Sequence, residues 1–249
     1  MNSFLNILAL SIIIISALIL IILRLIPIQT SFEIKKLKSF INLRKNIGLT
    51  IEEGKRLHIS LGNSPVNTIR SAASFVALTT LENILKQSSL SDKPPIASSG
   101  AGDLAILSKD QFISTYRELN ALERFEPSQS YLTGPTNYSY IGGLYPIVHQ
   151  KDSSVHLMIG NYGPEMGLIT EACRRMNSVS VAGTTSLQGQ AVTFACADEA
   201  TVGEEYFALP NNLSKSPVYR ISLHLQDLLR WGVIVIILLG LLLSIVGLI

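Results

Sequence analysis

Gly100, Gly102 and Ala105 stand in the spacing G-x-G-x-x-A directly after the short segment 95–99, with Asp103 inside the motif. In a dinucleotide site, glycines so placed allow a sharp turn and close approach to a pyrophosphate, and an acid at the end of the next strand binds the ribose. Here the next strand is expected to end at Leu132-Thr133-Gly134, which has no acid, and Asp103 would set a negative charge near the phosphate. The motif is therefore a weak nicotinamide or flavin signal, and no cofactor is assigned from it. G-x-x-x-x-G-K-[ST], H-E-x-x-H and G-x-S-x-G do not occur in the chain. That removes the usual phosphate loop, the helical zinc-hydrolase motif and the simplest serine-hydrolase reading. His58, His149, His156 and His224 are scattered, so no metal site is expected.

The best acid or base candidates are Asp103, Glu165, Glu171 and Asp198. Glu165 follows Gly163-Pro164 and opens a helical pattern, where the helix dipole stabilises its charge and suits it to capping. Glu171 lies four residues before Arg175, the spacing of an ordinary helix-surface ion pair. Cys173 and Cys196 form neither a C-x-x-C pair nor a metal spacing, and read as free thiols of a reducing compartment. No nucleophile, base and orienting group can be assembled, so catalytic residues stay unassigned.

The elements that must position these residues are legible. Six segments, beginning at His58, Pro95, Ser130, Val155, Ser178 and Glu199, each run into a glycine turn. Between them lie stripes of helical period: Ile69, Ala72, Ala73 and Val76 continued by Leu81, Ile84 and Leu85; Phe112, Tyr116 and Leu119; Met166, Ile169, Ala172, Cys173 and Met176. Strand, turn and helix in repetition predict an α/β domain: a Rossmann-like, mainly parallel sheet with helices on both faces, over 50–213. In such sheets ligands bind beyond the carboxyl ends of the strands. The candidate ligand-binding residues there are Ser99, Gly100, Gly102, Asp103, Gly160, Asn161, Glu165, Gly183 and Thr184, within a wider rim that includes Ser64, Thr133, Asn137, Gly163, Thr185 and Glu204. The rim is polar without being basic, which suits a small polar ligand. Turn geometry alone also calls for glycine, asparagine and threonine at these positions.

The chain carries 20 Lys+Arg and 18 Asp+Glu among 249 residues, and all of them fall between Arg24 and Arg230. A balance of +2, with no basic patch interleaved with aromatics, argues against nucleic acid as a partner. The uncharged run from Phe4 to Leu23 would reach about 30 Å as a helix, the thickness of a bilayer core. Two transmembrane helices are expected, at 4–26 and 231–249, with Trp231 and Arg230 at the near interface of the second. No basic residue precedes the first run, which sets it apart from a cleaved signal peptide. Arg24, Lys35, Lys36, Lys38, Arg44 and Lys45 after the first span, and Lys215, Arg220 and Arg230 before the second, predict a cytoplasmic central domain with both termini outside. Gly232, Gly240, Ser244 and Gly247 give the second span a small-residue side suited to pairing with the first span or with another copy.

Two segments beside the spans have open readings. At 30–48, Thr30 and Glu33 have capping-box spacing, and apolar Phe32, Leu37, Phe40, Ile41 and Ile47 alternate with lysines and arginines. This is a basic amphipathic helix, lying either on the anionic leaflet or against the domain. At 216–230, Ser216 and Pro217 suit a helix start, while Tyr219, Ile221, Leu223 and Leu225 alternate as in a strand; a continuous helix is preferred. Tyr138–Gln150 is aromatic, contains Gly142-Gly143 and Pro146, and reads as a broken helix over the sheet or a contact with a second subunit or the membrane surface.

The segments Glu52–Gly62, Gly160–Arg175, Val181–Thr185 and Ala197–Glu205 resemble those of an uncharacterised family of bacterial two-pass membrane proteins with a glycine-rich α/β domain. The resemblance implies the same placement of spans and domain, and carries no assigned chemistry, so no catalytic role transfers from it. The expected function is a membrane-anchored structural or assembly subunit, in a homo-oligomer or a larger membrane complex, with a small polar ligand at the strand ends. The alternative is a membrane-tethered enzyme using the same rim.

Overall fold

The computed structural model describes residues 2–25, 38–68, 71–150, 152–214 and 217–245. The chain divides into two compact units, Met1–Ile34 with Lys215–Ile249, and Lys35–Ser214. The central unit is built on strands β1 (Arg56–Ser60), β2 (Ile96–Ser99), β3 (Ser130–Leu132), β4 (Ser153–Gly160), β5 (Val179–Thr184) and β6 (Glu199–Thr201). They form one six-stranded sheet in the order β3-β2-β1-β4-β5-β6, and every pairing is parallel. Each strand falls at one of the segments that run into glycine. Strand order progresses one way from β1 to β3 and the other way from β4 to β6, the doubly wound arrangement.

Helices α2 (Lys38–Glu52), α3 (Ser71–Ser88), α4 (Gly102–Glu118), α5 (Asn137–Val148), α6 (Met166–Arg175), α7 (Leu187–Cys196) and α8 (Glu205–Leu213) complete the unit. Neighbour relations sort them into two layers: α3 touches α4 and α8, and α8 touches α2, while α5, α6 and α7 follow one another on the other face. The strands supply the two cores by alternation. Leu57, Ile59, Leu157 and Ile159 are buried toward one layer; Ile96, Met158 and Ala182 pack toward the other with Tyr140, Leu144, Met166, Ile169 and Cys173. Burial on both faces explains why the strands read as nearly unbroken buried runs, as in β4.

Three segments illustrate how context resolves an ambiguous sequence. In α2, Leu43 and Ile47 are 1% and 4% exposed, and the helix lies against β1, β4, β6 and α8. Asn42 donates to Glu199 Oε1, and Ser154 Oγ to Thr50 Oγ1 at 2.9 Å. The capping-box residues Thr30 and Glu33, and Ser216, lie outside the described residues, as does Ile69. Pro146 sits inside α5 without ending it. Gly143 of that helix is pressed against β3: a Cβ there would stand 2.7 Å from the carbonyl oxygen of Thr133. Tyr140 is buried in the core of the unit, leaving Tyr138 as the exposed tyrosine at the helix start.

The second unit holds α1 (Asn2–Leu25) and α9 (Pro217–Ile245), which contact each other. The alternating residues 219–225 lie within continuous helix, because Pro217 provides a preset helical start and helix satisfies the backbone without a partner strand. Among the described residues, no helix is long and apolar enough to cross a membrane.

Candidate functional site

Beyond the carboxyl ends of β4 and β5, beside the point where strand order reverses, the loops that leave these strands border a crevice. A cavity of about 650 Å³ occupies this place. Its walls are Asn161–Glu165 after β4, Thr185–Gln188 after β5, Ala72 and Ala73 of α3, Asn137 at the start of α5, and Phe207 of α8. The volume suits a small organic ligand.

Two glycines close the neighbouring β1 and β4 exits against each other. Gly62 has φ +80, and a Cβ there would stand 2.8 Å from the backbone nitrogen of Asn161. A Cβ on Gly160 would run into the carbonyl oxygen of Leu61. The β1 and β4 exits therefore touch backbone to backbone, which only glycine allows. Thr184, fully buried, locks the β4 and β5 loops together: its hydroxyl donates to Tyr162 O at 2.9 Å and accepts from Tyr162 N at 2.9 Å. Gly183 makes room for Thr201 and the ring of Tyr206. These residues shape the crevice from beneath.

The other half of the predicted rim is tied up in the same way. Asp103 accepts from Val66 N at 2.7 Å with one oxygen and from Leu104 N at 2.8 Å with the other, pinning the loop after β1 to the start of α4. Gly100 donates its N–H to Gly62 O at 2.9 Å and lies under the side chain of Asn63. Asn63 Nδ2 in turn donates to Pro135 O and Asn137 Oδ1, both at 3.1 Å. Ser99 is buried with no hydrogen-bond partner for its hydroxyl, while Gly102 has open space around it. Thus Ser99, Gly100, Gly102 and Asp103 cluster at the β2 exit, and Asn161 and Glu165 line the cavity one loop away.

This placement bears on the glycine motif. In the doubly wound order, the pyrophosphate loop follows the central strand β1, where this chain has Leu61-Gly62-Asn63-Ser64-Pro65. Gly100-x-Gly102 follows β2 instead, and its acid is consumed by a loop tie. The arrangement does not present a dinucleotide fingerprint at the crevice.

At the crevice itself, Glu165 is only 6% exposed. Its Oε1 accepts from Gly163 N at 2.8 Å, and its side chain has no ion pair among the described residues. Ser186 caps α7, accepting from Gly189 N, so the N–H groups of Leu187 and Gln188 in the first turn have no intrahelical acceptor. Asn161 Oδ1 accepts from Thr185 Oγ1 at 3.4 Å. The lining contains carboxylate, carboxamide and hydroxyl groups beside apolar surface, and no Lys, Arg or His among the described residues.

Below the crevice, the sheet face covered by α5 and α6 carries a buried polar column. Ser60 Oγ lies 2.5 Å from Tyr140 OH and 2.6 Å from Tyr162 OH, and Tyr140 OH donates to Ser98 O at 3.2 Å. Burial raises both phenols above the ordinary tyrosine range, Tyr162 well above it, so neither serves as a base near neutrality. One layer further down, His58 Nδ1 faces His156 Nδ1 at 3.1 Å and His58 Nε2 meets Ser98 Oγ at 2.8 Å. Desolvation, aided by repulsion from His156, holds His58 well below the ordinary histidine value, and desolvation lowers His156 to about 4. Both rings are neutral at pH 7.

The remaining acid and thiol candidates are structural. Asp198 accepts from Ser180 N and Ser180 Oγ at 2.8 and 2.7 Å. Glu171 pairs with Arg175 at 3.0 Å on the surface. Burial pushes the Cys173 thiol up to about 12, so it is not a thiolate nucleophile. No cluster of three or more metal-ligating side chains occurs among the described residues. Sequence reasoning did not find Gln188, Phe207, Ala72 and Ala73, because only tertiary packing brings them to the cavity. Nor did it find the Ser60–Tyr140–Tyr162 network, whose hydroxyls lie far apart in sequence.

Fold and site together define a doubly wound α/β domain with a polar crevice at its switch point. Residues 2–249 match the profile of a domain of unknown function, DUF6754, and the chain belongs to that family. No curated protein and no solved structure matches the chain.

Proposed function

We propose that this protein is a membrane-anchored α/β subunit whose central domain binds a small polar ligand in the crevice bordered by the β4 and β5 exits. The observation that carries the ligand reading is the cavity of about 650 Å³ at the topological switch point, lined by Asn161, Glu165, Thr185 and Ser186. Of the nine candidate residues, Asn161 and Glu165 are the ligand contacts, Gly160, Gly183 and Thr184 shape the loops that carry them, and Ser99, Gly100, Gly102 and Asp103 hold the neighbouring part of the rim.

The membrane reading rests on the sequence of the chain ends. The sequence run Phe4–Leu23 carries no charge, and none follows Arg230; about 20 such residues in helical form are the length a bilayer core asks for. The flanking lysines and arginines favour a cytoplasmic central domain with both termini outside. Gly232 and Gly240 have open space where a side chain would stand, which supports assembly with another copy or another membrane subunit through this side. The lack of a nucleophile–base pair at the crevice favours binding over catalysis.

Alkaline carbonate washing and protease protection test the placement. The expected result is that full-length protein stays in the membrane pellet, and that protease added outside intact cells leaves 50–213 uncut. Release by carbonate would overturn the anchoring, and external digestion of 50–213 would overturn the orientation.

A further inference from the structure

Resting on the crevice reading above, the chemistry of one wall narrows the ligand class. Glu165 combines deep burial, at 6% exposure, with the absence of an ion pair among the described residues. Its Oε1 is held by Gly163 N, whereas Oε2 accepts from no donor among the described residues and the side chain lines the cavity. A buried carboxylate lacking a countercharge is costly, and such groups are ordinarily paired. No cation is found among the described lining residues, so the protein leaves the compensating charge to whatever occupies the crevice. A phosphate-bearing nucleotide would place further negative charge beside this group.

We infer that the crevice takes a small molecule carrying an ammonium group, which donates to Glu165 Oε2. The molecule's acceptor oxygens meet the N–H groups of Leu187 and Gln188 at the start of α7, and its apolar part lies toward Ala72 and Ala73. An amino acid or a short amine-bearing metabolite has this combination of groups, whereas a nucleoside diphosphate does not.

The test measures thermal protection and affinity of the full-length protein in detergent against the common α-amino acids, putrescine and spermidine, with AMP and NAD as anionic comparators. At least one ammonium-bearing probe is expected to raise the melting temperature. Glu165→Gln keeps the oxygen that accepts from Gly163 N, and is expected to bind that probe at least tenfold more weakly. On the ligand side, N-acetylating the probe removes its charge without touching the protein, and should cost at least tenfold in affinity for the wild type. Equal affinity for the acetylated probe overturns the ammonium assignment, as does unchanged binding by a folded Glu165→Gln. If instead AMP or NAD alone protects, and Gln188→Trp at the exposed cavity wall abolishes that protection, the crevice reading stands and the ammonium class falls. If no probe protects, both fall.

Discussion

His58 and His156 face each other across adjacent parallel strands, 3.1 Å apart at Nδ1, in the driest part of the sheet. Either Ser98 Oγ–H donates to His58 Nε2 and His58 Nδ1–H to His156 Nδ1, or His58 Nε2–H donates to Ser98 Oγ and His156 Nδ1–H to His58 Nδ1. In both arrangements His156 Nε2 has no partner among the described residues. Because both rings resist protonation when folded, the unfolded chain binds more protons than the folded one between the ordinary value of 6.5 and about 4. Stability therefore falls as pH drops through that window and gains nothing from the pair above it, with a limiting slope of about 1.4 kcal/mol per pH unit for each histidine. Urea midpoints measured from pH 7.5 to 4.5 should show the decline, and a folded His58→Leu/His156→Met double variant should flatten it. A decline of equal slope in that variant would assign the acid sensitivity to other groups. Gly160 makes a second residue-scale prediction. Its missing side chain lets the β4 exit meet Leu61, so Gly160→Ala should destabilise by roughly 1–3 kcal/mol and lower the urea midpoint. Gly102→Ala, in open space, should change stability by less than about 0.5 kcal/mol.

At the scale of elements, all six strands were legible because a buried parallel strand reads as an apolar run and its exit requires glycine, asparagine or threonine. The helices α3, α4 and α6 were legible from their 3.6-residue stripes. Short α7 and α8 were not: Leu187 and Phe194 of α7 are 83% and 76% exposed, so its apolar residues do not mark a buried face, and α8 contains Pro210. Strand order was beyond the sequence as well, since it depends on contacts between distant segments. Without that order, the G-x-G-x-x-A spacing could not be assigned to β2 rather than β1, and Asp103 could not be recognised as a tie between loops. Glu165 was legible as a helix-opening acid, but its burial beside the cavity was not. The α2 helix shows the same limit, because a basic amphipathic stripe faces a membrane or a sheet with equal ease. Leu43 is 1% exposed, so Leu43→Ala should lower unfolding stability of the central unit by about 2–5 kcal/mol, read by denaturant titration. A shift below about 0.5 kcal/mol would contradict the packing of α2 on the sheet.

The whole molecule joins a polar α/β unit, Lys35–Ser214, to a second unit made of the two chain ends. The DUF6754 family match over residues 2–249 extends across both. The proposed anchoring concerns the ends, and the proposed binding concerns the crevice. The most direct measurement of the binding claim is an experimental structure of the full-length protein purified from the cells that make it, at a resolution that shows small molecules. The account predicts ligand density in the crevice bordered by the β4 and β5 exits, touching Asn161, Glu165 and Ser186. Density confined to the Gly100–Asp103 turn, with the crevice filled only by water, would contradict it.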